Sequence, residues 1–360
     1  MFNNFQTLIA STLVSLVQLL SSPDVSAATC EAPVKSNIEG VVVCDLGVLK
    51  GGESSFAKAV SDDGHIVVGV SGSSEGERAF LWTEELGMLS LGVLPGGSKS
   101  RASGISADGS TVVGGSDSAA GWHAFLWRKD TGMVSLGEAE RYTQTHAQAV
   151  SADGSVVVGS VGGTGDSGGK RAFRWTADSG ITFIGTEDLH RDSAALGVSD
   201  DGKIIVGRVG VQAFRWTKED GVVLLAPVQG EKLMYAHDAS WDGSIVVGDA
   251  SSHKRSKAFF WSTGGGSQLL LPPFKVKKAG ARAISRLSEA VVGYVKGAGG
   301  GVAFIKEKGG PVELLGRLKD SGGYISSSAS DVSADGSVVA GSSTGDLGHR
   351  AVIWKLSDQN

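Results

Sequence analysis

The sequence predicts an all-β fold, a seven-bladed β-propeller with four-stranded blades, and three observations support this prediction. A unit with apolar runs on either side of a tight turn recurs at residues 59–69, 104–114, 149–159, 197–207, 238–248, 283–293 and 331–341. The period of about 45 residues is typical of propellers and other repeat proteins. The turn is Asp-Gly in all but the sixth copy, and Asp-Gly supplies the positive φ that tight hairpins need.

Each repeat contains four strand-like segments, which we call strands A to D. In the first repeat they lie at 57–61, 66–69, 79–82 and 87–92. Strand B carries successive apolar residues, which indicates burial on both faces, as in a blade packed between two neighbours. The period-2 character and the glycine turns exclude a helical repeat.

The order of the strands predicts how the ring closes. The first segment, at 41–47, matches strand D, whereas the last repeat stops after strand C at 351–356. We therefore expect the N-terminal strand to complete the seventh blade, which removes two exposed sheet edges. The predicted boundaries are a signal peptide at 1–27, a leader at 28–40, the propeller at 41–356 and a tail at 357–360.

Composition and net charge limit the classes of function that the protein can have. The 360 residues are 41% hydrophobic and 20% charged, with 54 Gly and 7 Pro, which is a globular composition rich in turns. A net charge of −5 argues against a nucleic-acid partner, since such proteins need a basic face. We expect a monomer without a cofactor.

The N-terminus resembles an export signal. An apolar run at 8–20 precedes Val25-Ser26-Ala27, which fits a small-residue cleavage site. The alternative is an uncleaved anchor, although the run is short for a spanning helix. Cleavage predicts a secreted or periplasmic protein with no membrane span in the mature chain.

The two cysteines, Cys30 and Cys44, lie just after the predicted cleavage site. In an exported protein an even pair suggests one disulfide, and two unpaired thiols are the alternative. A bridge would attach the leader to the sealing strand.

Two recurring side chains define the predicted frame. A tryptophan ends strand C in six repeats, and we expect it to pack between blades. The aspartate of the turn is expected to accept hydrogen bonds from its own backbone. The tryptophans are Trp82, Trp127, Trp175, Trp216, Trp261 and Trp354. The aspartates are Asp63, Asp108, Asp153, Asp201, Asp242 and Asp335.

The sixth repeat departs from this frame. Arg286-Leu287-Ser288-Glu289 replaces the Asp-Gly turn, and Lys306 replaces the tryptophan. Loss of a packed tryptophan typically costs about 3–5 kcal/mol. We therefore expect blade six to be the least stable, or to be covered by a partner.

The candidate binding surface is a variable column in strand A, between two columns of mostly small residues. It consists of Lys58, Ser103, Gln148, Leu196, His237, Arg282 and Ser330. The start of strand A should border the central channel, on the face that carries the D–A and B–C loops. Binding groups concentrate on such loops, and His146, Tyr235 and Tyr324 are further candidates there. Solvated, non-functional loops are the alternative.

A basic column precedes strand C on the same face. It consists of Arg78, His123, Arg171, Lys257 and Arg350. We expect these side chains to form a solvated rim.

One family resemblance is carried by Gly121-Trp122-His123-Ala124-Phe125-Leu126-Trp127. This segment resembles the bacterial HAF-repeat family of extracellular repeat proteins, named for His-Ala-Phe, although only this repeat has the literal tripeptide. The Leu-Gly-x-Leu-x-Gly-Gly-x-x-Ser segments at 46–55 and 91–100 are also similar to that family. The resemblance covers about 41–356 and implies an exported, propeller-like repeat protein without a defined activity.

The sequence therefore favours an exported binding module that recognises a protein or glycan through the channel-mouth face. One alternative is a lyase or glycosidase in the funnel, with Asp238 and Asp331 as its acids and Arg282, His237 and Tyr235 as helpers. A second is a structural surface protein without a small ligand.

No Ser-His-Asp order, metal-type His spacing or phosphate-binding loop supports catalysis. A metal between His146 and His237 stays open as an alternative.

Overall fold

The computed structural model describes residues 28–137, 144–162, 169–185, 192–252, 255–270, 275–297, 299–319 and 326–357. Within these ranges the chain forms seven antiparallel sheets. Each A strand contacts the A strand of the next blade, and the seventh contacts the first, so the sheets close into the predicted propeller ring. The predicted signal peptide lies outside the described residues. No helix in the described ranges is long and apolar enough to cross a membrane.

The strands follow the predicted A-B-C-D order in each blade. The N-terminal segment forms β1 (Thr29–Glu31) and β2 (Val42–Asp45). Blade one contains β3 (Ser55–Val60), β4 (Val67–Ser71), β5 (Arg78–Thr83) and β6 (Gly87–Ser90). Blade two contains β7 (Ser100–Ile105), β8 (Thr111–Ser118), β9 (Gly121–Arg128) and β10 (Gly132–Ser135). Blade three contains β11 (Gln144–Val150), β12 (Val157–Gly162), β13 (Arg171–Thr176) and β14 (Gly180–Phe183).

The second half of the ring repeats this arrangement. Blade four contains β15 (Ser193–Val198), β16 (Ile205–Val209), β17 (Gln212–Thr217) and β18 (Gly221–Leu224). Blade five contains β19 (Leu233–Ala239), β20 (Ile245–Ser252), β21 (Arg255–Ser262) and β22 (Gly266–Leu269). Blade six contains β23 (Lys278–Ile284), β24 (Val291–Gly297), β25 (Gly300–Lys306) and β26 (Val312–Gly316). Blade seven contains β27 (Ser327–Val332), β28 (Val338–Gly345) and β29 (Gly348–Lys355).

The N-terminal strand closes the ring, as the sequence predicts. β2 pairs with β29, with Cys44 opposite Ile353, so that blade seven gains the D strand it lacks. β1 then pairs with β2 as a fifth, outermost strand. A disulfide joins Cys30 to Cys44 across this pair, with an S–S distance of 2.10 Å.

The leader packs against the propeller. After β1 it runs along the outer edge of blade six, where the Val34 amide donates to the Arg317 carbonyl at 2.8 Å and the reverse bond is 3.0 Å. The Asn37 amide donates to the Leu314 carbonyl at 3.2 Å. The blade that departs most from the repeat is thus covered by the protein's own leader.

All seven A strands contain a β-bulge at the same position. In blade three, Ala147 lies opposite Gly159 and Ala149 opposite Val158, so Gln148 is the extra residue. A bulge bends its strand and re-aims the side chain of the extra residue. The bulged residues are Lys58, Ser103, Gln148, Leu196, His237, Arg282 and Ser330. These are the residues of the variable column.

The core lies between the blades and is centred on phenylalanine as much as on tryptophan. Strand C of blades one to six carries a fully buried phenylalanine, which lies two positions before the tryptophan in blades one to five and before Lys306 in blade six. Trp82 and Trp354 are also buried, whereas the other four tryptophans of the column are half-buried. Trp354 packs against Val292 and Ile305 of blade six, so the tryptophans do contact a neighbouring blade.

Candidate functional site

The central channel contains a cavity of about 180 Å³ lined by strand A of all seven blades. Every bulged residue contributes to its wall, and we call these seven residues the bulge ring. The opposite end of the cavity is lined by residues at the A–B turns, among them Asp62, Asp200 and Arg286. We call this end the throat.

An ion triad ties the throat together. The Arg286 Nη1 lies 2.5 Å from Asp62 Oδ2, and its Nε lies 2.8 Å from Asp200 Oδ2. These residues belong to blades six, one and four, so the guanidinium links three separate blades. Burial raises the pKa of both carboxyl groups, and the charge of Arg286 opposes that rise. The repeat that appeared weakest in sequence therefore supplies a cross-link of the throat.

Main-chain hydrogen bonds reinforce the same end. The amide of the second residue in the Ser-x-Asp-Gly turn donates to the carbonyl of its counterpart in the next blade. Asp62 donates to Ala107 and Ala107 to Ala152, each at 3.0 Å, and Ala334 donates to Asp62 at 3.0 Å. The turn aspartates themselves accept bonds locally, as when Asp153 Oδ1 accepts from Ser151 Oγ at 2.7 Å and the Ser155 amide at 2.9 Å.

Asp238 and Asp331, the acids of the enzyme alternative, link blades. Asp331 Oδ2 accepts the Val60 amide of blade one at 2.9 Å, and its Oδ1 accepts the Val332 amide at 2.9 Å. Asp238 bonds the Ile284 amide of blade six at 3.0 Å in the same way. Burial raises the pKa of each carboxyl group to about 7. Because every carboxylate oxygen has a main-chain donor, a structural role accounts for both residues.

His146 connects the bulge ring to the channel mouth. The indole Nε1 of Trp122 donates to His146 Nδ1 at 3.3 Å, and His146 Nε2 lies 3.1 Å from Ser103 Oγ. Burial lowers the pKa of His146 to about 4, so the ring is neutral at pH 7. An indole can only donate, so the proton of the neutral imidazole is on Nε2 and points to Ser103. His146 therefore cannot act as a general base on the Ser103 hydroxyl.

His237 and Arg282 form a second cluster on the ring. Arg282 Nη1 donates to His237 Nε2 at 2.7 Å, and Arg282 Nη2 lies 3.3 Å from Asp249 Oδ2. The Arg282 guanidinium also lies 5.3 Å from the centre of the Tyr294 ring. These three contacts hold the guanidinium in one orientation.

His146 and His237 thus have separate partners. Within the described residues, no group of three or more His, Cys, Asp or Glu side chains could hold a metal ion.

Lys58 differs from the other cations of the channel. Its side chain is exposed within the channel and, in the described part of the chain, makes no ion pair. Desolvation of its ammonium group inside the channel, followed by repulsion from Arg282 and Arg101, lowers the pKa of Lys58.

Arginine–aromatic pairs surround the channel mouth. The guanidinium carbon of Arg101 lies 5.9 Å from the Trp122 ring centre, and that of Arg208 lies 5.6 Å from the Tyr235 ring centre. A cation over an aromatic face is favourable and holds the guanidinium in place. Arg101 and Arg208 also pair with Glu77 and Asp192, respectively. Sequence reasoning missed Trp122, Arg101 and Arg208. It compared equivalent positions of the seven repeats, whereas these side chains come together from different positions of the repeat.

The basic column before strand C is not a solvated rim. Arg78, His123 and Arg350 are buried. Arg350 Nη1 donates to the Glu53 carbonyl at 2.7 Å, and Arg78 makes the corresponding bond to the Ser98 carbonyl. Arg78 and Arg350 thus hold the D–A loops that lead into the next blade. The sequence did not reveal this role, because each loop carbonyl is far from its arginine along the chain.

Some of the remaining predicted site residues belong to the described structure and others do not. Gln148 and Ser330 line the channel, and Tyr235, in strand A of blade five, packs against Arg208. Tyr324 lies outside the described residues, as do most of the long D–A loops after blades two and three. The site that the structure brings together is therefore the bulge ring and its flanking arginine–aromatic pairs.

Comparison with solved structures supports the fold. An oligogalacturonate lyase from Vibrio parahaemolyticus is 10% identical, with a TM-score of 0.59, and the match covers 93% of this chain and 98% of the lyase. An oligogalacturonate lyase in complex with manganese is 12% identical, with a TM-score of 0.60 and coverage of 92% and 96%. The Swd1 β-propeller domain of Myceliophteria thermophila is 12% identical, with a TM-score of 0.52 and coverage of 86% and 98%.

TolB from Acinetobacter baumannii gives a TM-score of 0.48 at 13% identity, over 83% of this chain and 65% of the TolB chain. This chain therefore spans just under two thirds of TolB. No protein-family profile matches the chain. No curated protein matches it in sequence. The comparisons therefore define the class, a seven-bladed β-propeller, and the resemblance to HAF-repeat proteins stays a prediction.

Proposed function

We propose that this protein is an exported binding propeller whose bulge ring recognises a glycan at the mouth of the central channel. One observation carries the proposal. Seven A strands with the same bulge direct side chains of unlike chemistry into one cavity, while the residues on either side of the bulge are small apart from Asp238 and Asp331. Closure of the ring alone would not require side chains of different chemistry at the bulged position of each blade.

Export is supported by the N-terminal sequence and by the Cys30–Cys44 bridge, since disulfides persist in oxidising compartments. Polar side chains such as Gln148, Ser103 and Ser330 can exchange hydrogen bonds with sugar hydroxyls. Aromatic rings at the mouth, among them Tyr235 and Tyr294, are suited to the apolar faces of sugars.

The enzyme alternative is weaker on two grounds. The carboxyl groups of Asp238 and Asp331 are committed to main-chain amides, and the Ser103–His146 pair has its proton on the wrong nitrogen for base catalysis. The manganese of the similar lyase belongs to that protein. The described residues of this chain do not fit such an ion, because no metal-ligating group of side chains converges.

Thermal-shift measurement of residues 28–360 against a panel of neutral and acidic oligosaccharides tests the proposal. The test variant changes Lys58, Gln148, His237 and Arg282 to Ala. The matched variant changes four exposed residues at C–D turns, Glu85, Lys129, Asp130 and Lys218, to Ala.

We expect at least one glycan to raise the melting temperature of the parent and of the matched variant but not of the ring variant. If no glycan does so, or if the ring variant responds like the parent, glycan binding at the ring is wrong. A protein partner or a purely structural role then remains.

A further inference from the structure

We infer that the bulge ring binds the carboxylate of an acidic oligosaccharide, with Lys58 as its charged anchor and Ser103 as a hydrogen-bond donor. This inference rests on the proposed glycan-binding function and specifies the chemistry of the ligand. Its basis is the direction in which the polar groups of the ring donate.

The first step concerns Ser103. Its Oγ accepts a hydrogen bond from His146 Nε2, because Trp122 occupies Nδ1 as a donor. The hydroxyl hydrogen of Ser103 is then free to donate into the channel. A neutral His146 thus fixes the serine as a donor toward the ligand, and Trp122 and His146 act as positioning residues.

The second step concerns charge. Lys58 projects from the bulge of blade one into the cavity, where Arg282 and Arg101 repel its ammonium group. Like charges close together destabilise a protein unless an anion lies among them. An ammonium group offers three donors and no acceptor, so it complements a carboxylate and not a cation.

The third step concerns Arg282. Its guanidinium is held by His237, Asp249 and the Tyr294 ring, which uses only part of its five N–H donors. The same guanidinium lines the cavity that Lys58 enters, and its charge acts on the Lys58 ammonium group. A lysine, a serine hydroxyl and a pre-oriented guanidinium together form a donor-only surface, and charge-assisted hydrogen bonds of this kind are the strong ones.

The ligand of a donor-only site must bring acceptors. The throat offers no free cation to an anion, because Arg286 is already paired with Asp62 and Asp200. Among the described cations that line the cavity, Lys58 is the one without an ion-pair partner. An acidic sugar fits with its carboxylate toward Lys58 and its hydroxyls toward Gln148 and Ser330.

Isothermal titration calorimetry with four probes tests the inference. The probes are a hexuronic acid tetrasaccharide, the matched neutral hexose tetrasaccharide, tetraglutamate and inorganic sulfate. The variants are Lys58→Gln, Lys58→Arg and the control Lys129→Gln, in which an exposed lysine on a C–D turn changes. Lys58 lines the cavity and is not part of the buried core, so neither change opens a hole in the core.

We expect the uronate to bind the parent and Lys129→Gln with equal affinity, and Lys58→Gln at least about tenfold more weakly. Lys58→Arg should restore most of the affinity because it restores the charge. Binding should weaken as pH rises through the lowered pKa of Lys58, which is below the usual range of lysine.

The other outcomes separate this inference from the proposed function. If both tetrasaccharides bind the parent equally and Lys58→Gln leaves both affinities unchanged, the funnel still binds glycans and the carboxylate inference is overturned. If only tetraglutamate binds in a Lys58-dependent way, the anion site stands but its ligand is an acidic peptide, and the glycan function is wrong. If sulfate alone binds, or no probe binds, both are overturned.

The positioning role of Trp122 has its own readout. Trp122→Phe removes the indole donor, so His146 can place its proton on Nδ1 and accept from Ser103. Side-chain ¹⁵N NMR should then show a change of the His146 tautomer, together with weaker uronate binding. An unchanged tautomer with unchanged affinity would overturn the relay.

Discussion

Single residues of this propeller have roles that follow from the direction of their hydrogen bonds. Trp122 fixes the proton of His146, and His146 in turn makes Ser103 a donor. Asp238 and Asp331 have small residues as their counterparts in the other blades, and each accepts two main-chain amides. Both acids therefore stabilise the inner wall of the ring, and their carboxyl groups take no part in the inferred ligand site.

The raised pKa of Asp238 predicts a dependence of stability on pH. Burial raises the pKa of its carboxyl group from the usual value of 3.8 to about 7 in the folded protein, so the folded state holds the proton more tightly. The free energy of unfolding should then fall as pH rises from about 4 through about 7. Asp238→Asn should make this fall shallower, as measured by urea denaturation at several pH values.

Asp242→Asn is the matched control from the same blade. Burial alone would raise the pKa of Asp242, but hydrogen bonds from Ser244 and Ser240 outweigh that effect and lower the pKa. This variant should lose stability without a shallower fall above pH 5. Equal pH slopes for Asp238→Asn and the parent would contradict the account.

At the scale of the element, the bulge in strand A explains an invariant glycine in strand B. A Cβ on Gly159 would lie 2.0 Å from the His146 carbonyl oxygen and 2.9 Å from Phe173 Cε1. The same close approach recurs at the corresponding glycine of every blade. The bulge that turns the variable side chain into the channel thus brings the strand A backbone against strand B.

Replacement of Gly159 by Ala should therefore destabilise the protein. Overpacking against a carbonyl and a buried ring typically costs about 1–3 kcal/mol. In Gly162→Ala, on the same strand, the added Cβ would meet its nearest atom, Lys170 Cγ, at 3.8 Å, so we expect little change. Chemical denaturation of both variants measures the difference. If the two variants are equally stable, the close approach is not a constraint on the fold.

The sequence contained most of the elements but not their bulges. Strand positions, the Asp-Gly turns and the variable column follow from a repeat of about 45 residues, because side-chain type repeats with position. The bulge is a shift of register between two strands, and residue types alone do not encode it. For the same reason the sequence identified Lys58 and Arg282 as candidates but missed Trp122, whose role depends on a contact with the next blade.

Three features hold the whole ring together. β2 completes blade seven, the leader covers the edge of blade six, and Arg286 joins blades one, four and six at the throat. The Cys30–Cys44 bridge closes a short loop and should contribute about 3 kcal/mol in the chain-entropy model. A departure from the repeat does not by itself indicate an unstable blade. Arg286 replaces the usual turn residue of blade six, and its ion pairs with Asp62 and Asp200 connect that blade to two others.

Closure by β2 predicts the result of a truncation pair. Removal of residues 28–47 deletes both N-terminal strands and exposes the edge of β29, which should lower the melting temperature and promote association. Removal of 28–39 keeps β2 and should have a smaller effect. Size-exclusion chromatography and thermal unfolding distinguish the two. A monomer without 28–47 that melts at the temperature of the parent would contradict closure.

The most direct test of the central claim is a crystal structure of residues 28–360 grown with the hexuronic acid tetrasaccharide. The account predicts a sugar in the channel mouth, with a carboxylate oxygen within hydrogen-bond distance of Lys58 Nζ and Ser103 Oγ. A sugar bound on the outer rim or at the throat, with the bulge ring empty, would contradict it.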